Sequence, residues 1–358
     1  MSRCARRAAA RTTPSRPCQR YGWRILNAAV ILWLALNAPA SAGELASEVP
    51  LRIVAFGDNE GVIARPGSDP SRKNPVLPRL IEILQEEEKQ APIDLILHTG
   101  DFVRFDPSPQ LFMQMLGPFL GRFYPTSGGD EEFLQGKYWA FVRAVPHLYQ
   151  AVLRRVARDQ NGFEPYYAVE HRGVHILSLH NPDNYGEIER TPEFAGYDLF
   201  RPEHAQRQQF RWLVAQLDDI RQRQGDRNPI IVLSHRPVYN QSRHLVDLFD
   251  RYRVDLVLSG HMHVYARAQS RYTQYIVTGI LGDRAVGGCE TLNTPLAQEF
   301  LGQYHPCYPG LGAFREGSFA YPYDHYIEIG VRGRTLSVKA VEIADRQVLD
   351  HVTLSPKE

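Results

Sequence analysis

The sequence has 358 residues, 43% hydrophobic and 23% charged, an ordinary globular composition with room for one large domain or two average ones. Lys and Arg (41) almost balance Asp and Glu (40). The formal charge of +1 supplies no field for nucleic acid or an anionic membrane surface, and the sequence carries no nucleic-acid signature.

In chain order, residues 1–42 come first as a secretory signal peptide. Arginines at 3, 6, 7, 11, 16, 20 and 24 precede the apolar run "ILNAAVILWLAL", and "NAPASA" follows it. A basic region, a short apolar region and an A-x-A site at Ala40-Ser41-Ala42 predict cleavage before Gly43. An uncleaved anchor is the competing reading, but the apolar run is shorter than the ~20 residues a spanning helix needs. The expected product is periplasmic or secreted, with no membrane association after cleavage. Export leaves Cys289 and Cys307, both in the Gly/Pro/Tyr-rich stretch 287–317. Two readings stand, a disulfide or two free thiols, and an oxidising compartment favours the bridge.

"LRIVAFGD" (51–58) reads as a buried strand, "VLPRLIEILQEEEKQ" (76–90) as a helix from its apolar spacing, and "IDLILHTGD" (93–101) as a second strand. Strand, helix and strand within so short a span predict a parallel βαβ unit. A mixed region then leads to a helical "YWAFVRAVPHLYQAVLRRVARD". "YYAVEHRGVHILSLHN" (166–181) predicts two strands around Arg172-Gly173, and residues 201–224 an amphipathic helix. "NPIIVLSHRP" (228–237) and "VDLVLSGHMH" (254–263) are two further strands. The tail reads as two strands turning at Arg332-Gly333 (325–343) and a last strand at 348–354. With no repeat and no linker, a single domain over 48–355 is expected.

Four apolar strands end in Asp58, Asp101, His235 and the pair His261/His263, as if one sheet delivered them all to one edge. Ligands of open α/β sheets bind at that carboxyl edge. In "GHMH" an extended backbone would put His261 and His263 on one side and Met262 on the other. Any one Gly-Asp also suits a turn; the convergence favours a metal site. Carboxylate and imidazole ligands suit Mn, Fe, Zn, Ni or Co. Two such ions ~3.5–4 Å apart generate hydroxide at neutral pH and clamp an in-line displacement, the geometry of phosphoester hydrolysis.

The blocks "GD" (57–58), "GDFVR" (100–104), "GGDEE" (128–132), "VLSH" (232–235) and "GHMH" (260–263) resemble the five signature blocks of calcineurin-like metallophosphoesterases. "SHRPVYN" and "GHMHVYAR" resemble the purple acid phosphatase form of these blocks. "YIVTGILG" (275–282) and the C-terminal strands are also similar to that family, so the resemblance covers nearly the whole mature chain. It implies an α/β fold, a four-layer α/β/β/α sandwich with mixed sheets. It also implies a dinuclear centre of transition-metal ions acting on a small phosphoester, a mono- or diester, through a metal-bridging hydroxide. Carried over, Asp101 bridges the ions, Asp58 and His263 bind the first, and His235 and His261 bind the second.

Three departures stand out. The first block carries Asp58-Asn59-Glu60 where many relatives have D-x-H, so Glu60 either replaces an imidazole or points away. Arg104 stands where the purple enzymes have tyrosine. The third block, G-N-H-[DE] in the family, is Gly128-Gly129-Asp130-Glu131 here. Glycine has no ligand to offer, so the Asn role is empty or falls to Asp130. Asp130, Glu131 and His235 form the candidate catalytic set, with Asp130 better suited to metal than to proton donation because nearby cations favour its ionised form. Glu131 is either an acid at low pH or a solvated turn carboxylate, and His180 is a further proton-donor candidate. A non-catalytic relative that keeps the site for binding, and an exported interaction scaffold, are the competing functions.

Overall fold

The computed structural model describes residues 50–62, 76–104, 106, 108–129, 136–159, 165–180, 208–224, 228–238, 243–279, 319–321 and 324–355. The signal-peptide segment, Asp130, Glu131, Cys289 and Cys307 lie outside the described residues. Among the described residues no helix is long and apolar enough to cross a membrane.

The βαβ unit forms as the periodicity predicts. Strand β1 (Leu51–Phe56), helix α1 (Val76–Gln90) and strand β2 (Leu95–His98) follow in order, and the strands pair in parallel with Ile53 opposite Leu95. The mixed region folds into α2 (Gln110–Leu116), a 3₁₀ turn (Gly117–Arg122) and a short parallel strand, β3 (Phe123–Pro125), that the sequence pattern does not announce. The helical stretch that follows is two helices, α3 (Lys137–Ala144) and α4 (Pro146–Asp159). Pro146 forces the break, because the residue before a proline is pushed out of helical geometry, and Val145 has φ −110° and ψ 102°.

Strands β4 (Tyr167–His171) and β5 (Val174–Ser178) form the hairpin at Arg172-Gly173. Helix α5 (Gln208–Gln224) precedes β6 (Ile230–Ser234), and β7 (Leu256–Ser259) lies parallel to it. Between β6 and β7 sits a helix not expected from the sequence, α6 (Arg243–Arg251), whose Leu245, Val246, Leu248 and Phe249 are buried. β8 (Tyr265–Gln269) and β9 (Gln274–Val277) are antiparallel, and β10 (Phe319–Tyr321) extends β8. β11 (His325–Arg332), β12 (Thr335–Glu342) and β13 (Val348–Leu354) form an antiparallel meander.

The strands make two mixed sheets, ordered β13-β12-β11-β1-β2-β3 and β10-β8-β9-β7-β6-β5-β4. Alternation along each strand assigns the layers. Leu51, Ile53 and Ala55 of β1 and Leu95 and Leu97 of β2 share one core with Ile231 and Leu233 of β6 and Leu256 and Leu258 of β7, the space between the sheets. Val54, Phe56 and Ile96 face the other way, onto Leu77, Leu80 and Leu84 of α1. Val232 and Val257 face Leu213 and Leu217 of α5 and Phe249 of α6. This is the helix–sheet–sheet–helix sandwich. One expectation is corrected: the four ligand-bearing strands do not belong to a single sheet. β1 and β2 lie in the first sheet and β6 and β7 in the second, because each pair has its own helical layer to cover it.

Two buried histidines give the fold an acid-sensitive element. His98 ends β2 amid Phe56, Phe102 and Phe123, with ring centroids 4.9, 5.3 and 5.6 Å away. Its Nδ1 accepts from the Gly100 amide at 3.1 Å, so the proton sits on Nε2, 2.7 Å from Asn59 Oδ1. Burial lowers the pKa of His98 to about 3, and that of His180 likewise to about 3. Both rings stay neutral in the folded chain while the unfolded chain takes up protons below the ordinary histidine value of about 6.5. Their stabilising contribution is therefore complete above pH ~6.5 and is lost as pH falls toward 3. His98→Gln removes one of these titrations, so the stability gap between wild type and variant should narrow steadily from pH 7 to pH 4 in urea unfolding. A constant gap would refute it.

Candidate metal centre

The site forms where the carboxyl ends of β1, β2, β6 and β7 meet. Backbone hydrogen bonds stitch the four exit loops together. The Asp58 amide donates to Gly100 O at 3.0 Å, the Glu60 amide to Asp101 O at 2.7 Å and the Gly260 amide to His235 O at 2.8 Å. Thr99 Oγ1 donates to Thr278 O at 2.9 Å and so ties the first sheet to the second.

Asp58, Glu60, Asp101, His261 and His263 all lie in the left-handed region, with φ of 53°, 59°, 53°, 69° and 48°. Each such non-glycine residue costs on the order of 1–3 kcal/mol and persists only where its surroundings impose it. The Gly-His-Met-His segment is accordingly not extended. Its bends turn the two imidazoles to different neighbours: His263 Nε2 lies 3.5 Å from both Asp58 Oδ1 and Glu60 Oε1, and the His261 ring meets the His235 ring edge-on at 5.4 Å. Met262 is buried.

Asp58, Asp101 and His235 are all buried and offer three ligand atoms within 4.8 Å of one another, enough to hold a metal ion. His235 is oriented by its other nitrogen: Nδ1 donates to Thr99 O at 2.8 Å, which leaves Nε2 as the acceptor, 3.5 Å from Asp101 Oδ2. Asp101 Oδ1 accepts from the Gly129 amide, and Asp58 Oδ1 from the His261 amide at 2.8 Å. The third-block glycine thus supplies a backbone donor where the family pattern has a side chain. Glu60 points inward, paired with His263 and with Arg104 at 3.3 Å. Arg104 also lies 3.5 Å from Asp101 Oδ2. Asp130 and Glu131 are outside the described residues.

The electrostatics is that of carboxylates crowded in a dry place. Burial raises the Asp58 pKa, but the His263 hydrogen bond and the charges of His235, His263 and His261 outweigh it, and the net shift is downward. Burial, followed by repulsion from Asp101, lifts Glu60 to about 7 against the pull of His263 and Arg104. Burial disfavours the charged His263 ring, yet Asp58 and Glu60 together raise its pKa well above the ordinary value. Asp58 Oδ2 and Glu60 Oε2 are buried with no hydrogen-bond partner among the described residues. A buried carboxylate oxygen left in that state is costly, and a cation satisfies it, so the residues present fit a metal.

The crowding also explains two glycines. A Cβ on either Gly260 or Gly279 would fall 2.2 Å from Asp58 Oδ2, so only glycine lets these loops pass the carboxylate. The sequence pattern does not single out Gly279. It also missed Thr99 and the Gly129 amide, which act through backbone atoms that leave no side-chain signature. Asn59 is a further omission: its side chain donates to Phe102 O at 3.1 Å and accepts from His98, fixing the first block against the second. His180 is fully buried, its ring 2.5 Å from Ser127 Oγ and its backbone paired with the Gln209 side chain at 2.7 and 3.0 Å. Held neutral above about pH 3, it has no imidazolium proton to give at ordinary pH.

Comparison with known proteins agrees with this geometry. The chain is 26% identical over 229 residues to acid phosphatase type 7 of Homo sapiens, covering 56% of this chain and 47% of that protein. It is 25% identical over 261 residues to the Mus musculus protein, covering 62% and 54%. The chain thus spans about half the length of these relatives. Among solved structures, GAP50, the anchor in the inner membrane complex of Plasmodium, aligns with a TM-score of 0.52 at 15% identity over 87% of this chain and 90% of that one. A purple acid phosphatase from yellow lupin (Lupinus luteus) seeds aligns with a TM-score of 0.51 at 17% identity over 86% and 54%. At those identities the likeness is one of fold. The pattern of the calcineurin-like phosphoesterase family matches residues 51–265, more than half of the chain and every block that builds the site, so the chain belongs to the calcineurin-like phosphoesterase family.

Proposed function

We propose that this chain is an exported, metal-dependent phosphoesterase that hydrolyses small phosphate mono- or diesters. The observation that carries the reading is the buried Asp58–Asp101–His235 cluster, assembled across two sheets in a chain of this family. Asp58, Asp101 and His235 hold a transition-metal ion of the Mn, Fe, Zn, Ni or Co kind. Glu60, His261 and His263 complete the polar wall, and Asp130 is the candidate for the missing third-block ligand. The metal, when bound, supplies Lewis acidity toward the phosphoryl oxygen and lowers the pKa of coordinated water.

The chain's own residues prepare that chemistry. Thr99 O fixes the His235 tautomer with Nε2 toward Asp101, and the Gly129 amide pins the other Asp101 oxygen, so neither group has to reorganise when substrate arrives. Arg104 brings a permanent positive charge beside Asp101, and its side chain is about a quarter exposed, placing it within reach of an anionic substrate. Burial of the carboxylates and imidazoles strengthens each of these electrostatic contacts.

The test is turnover of an aryl phosphate by purified protein with and without added metal, with Asp101→Ala alongside. Metal-dependent turnover that disappears in Asp101→Ala, together with the bound metal, is expected. A protein that binds metal without turning over mono- or diesters would instead be the non-catalytic relative, the reading favoured by the glycine pair in the third block. A protein that binds no metal would be a scaffold.

Gly260→Ala puts a methyl against Asp58 Oδ2 without removing any ligand. Displacing that carboxylate by even a fraction of an ångström should lower turnover by about 10²-fold and deplete metal, with the overall fold retained by circular dichroism. Full activity in Gly260→Ala would show that the Asp58 position is not critical.

The basic, apolar and A-x-A order of residues 1–42 supports the export part of the reading, with the disulfide between Cys289 and Cys307 as its companion. N-terminal sequencing of the exported protein should begin at or near Gly43. A product that keeps residues 1–42 on a membrane would overturn it.

A further inference from the structure

The polar groups of the centre divide into two loci with different occupants. At the first, Asp58, Asp101 and His235 bring three ligand atoms within 4.8 Å of one another, close enough to share one cation. At the second, two cationic or polar side chains of the chain itself already face the carboxylates. Arg104 Nη1 lies 3.3 Å from Glu60 Oε1 and 3.5 Å from Asp101 Oδ2, and His263 Nε2 lies 3.5 Å from Glu60 Oε1 and Asp58 Oδ1. We propose that the centre binds one metal ion tightly, at Asp58, Asp101 and His235, and that the Arg104 guanidinium stands in for the second cation beside Glu60 and His263. The inference rests on the reading of this cluster as a metal site.

A guanidinium keeps its charge at any working pH and has no lone pair to give, so it offers a neighbouring metal repulsion and no ligand. Arg104 therefore places a fixed positive charge, and no ligand atom, beside Glu60 and Asp101. Water screens the effect poorly, because the carboxylates it faces have side chains only 6% and 2% exposed. The first-block carboxylate, Glu60, is the partner of this cation at 3.3 Å. Asp101 Oδ2 lies 3.5 Å from both Arg104 Nη1 and His235 Nε2, so this carboxylate is shared between the two loci.

Metal stoichiometry tests this without relying on turnover. The full chain, stripped with a chelator and titrated with Zn²⁺ or Mn²⁺, should retain one equivalent after gel filtration. Arg104→Gln, which removes the charge and keeps a polar side chain, should retain two, its second equivalent binding at least about tenfold more tightly than in wild type. Arg104→Lys keeps the charge and should stay at one. Two equally tight equivalents in the wild type, or one equivalent in a folded Arg104→Gln, would overturn the proposal. Should Arg104→Gln fail to fold, the wild-type and Arg104→Lys titrations still decide it, since two tight equivalents in either refute it. Aryl phosphate turnover is read in parallel: one tight equivalent without turnover defeats the phosphoesterase reading and leaves this one standing. Two tight equivalents with turnover do the reverse.

Discussion

Three carboxylates, Asp58, Glu60 and Asp101, are held together in a part of the molecule from which water is nearly excluded. Left to themselves they would repel one another or take up protons, and the elevated pKa of Glu60 records that pressure. Everything around them answers the same electrostatic demand. His263 and Arg104 supply charge from the side, backbone amides of His261 and Gly129 supply donors, and Asp58 Oδ2 and Glu60 Oε2 are placed where a cation would satisfy them. The family's chemistry becomes intelligible in this light, since a site that requires positive charge in order to fold well is also one that holds a Lewis acid.

The sandwich satisfies this demand because of how its layers meet. Two sheets, each with its own helical cover, bring the carboxyl ends of β1 and β2 against those of β6 and β7. At that edge the contact across the sheets is polar: the Thr99 carbonyl accepts from His235 Nδ1, and the Thr99 hydroxyl donates to Thr278 O. The strain in the exit loops has the same origin. A strand that runs straight on would carry its ligand out of the crevice, whereas a left-handed residue at the strand's end turns the side chain back over the edge. Aspartate and histidine are among the residue types that tolerate this conformation best, so ligand chemistry and loop geometry favour the same residues at the same places.

Arg104 and Glu60, which the sequence presents as two unrelated departures, form one charge pair in the structure, 3.3 Å apart. The third block follows similar logic on a smaller scale: Gly129 contributes an amide hydrogen bond to Asp101, so its lack of a side chain does not leave it without a part in the site.

Strong local patterns were legible in the sequence. The apolar spacing of 76–90, the hairpin at Arg172-Gly173 and the C-terminal meander each carry many residues of one period, and each was found where the period put it. Short elements escaped: β3 and β10 have three residues each, β8 has few strongly apolar ones, and the nine residues of α6 fall between two motif blocks. The identities of Asp58, Asp101, His235, His261 and His263 as polar residues at the ends of apolar runs were also plain, because metal chemistry limits the residue types that can serve. The sequence by itself therefore determined the layer composition and the polar residues that gather at the strand ends. Only the tertiary structure decided that these residues come from two sheets, that the histidine pair is bent and divided between neighbours, and that Thr99, Gly129 and Gly279 belong to the site. The reason is physical: side-chain periodicity is written locally along the chain, whereas a carbonyl acceptor, an amide donor or the clearance around a carboxylate exists only once distant segments have been brought into contact.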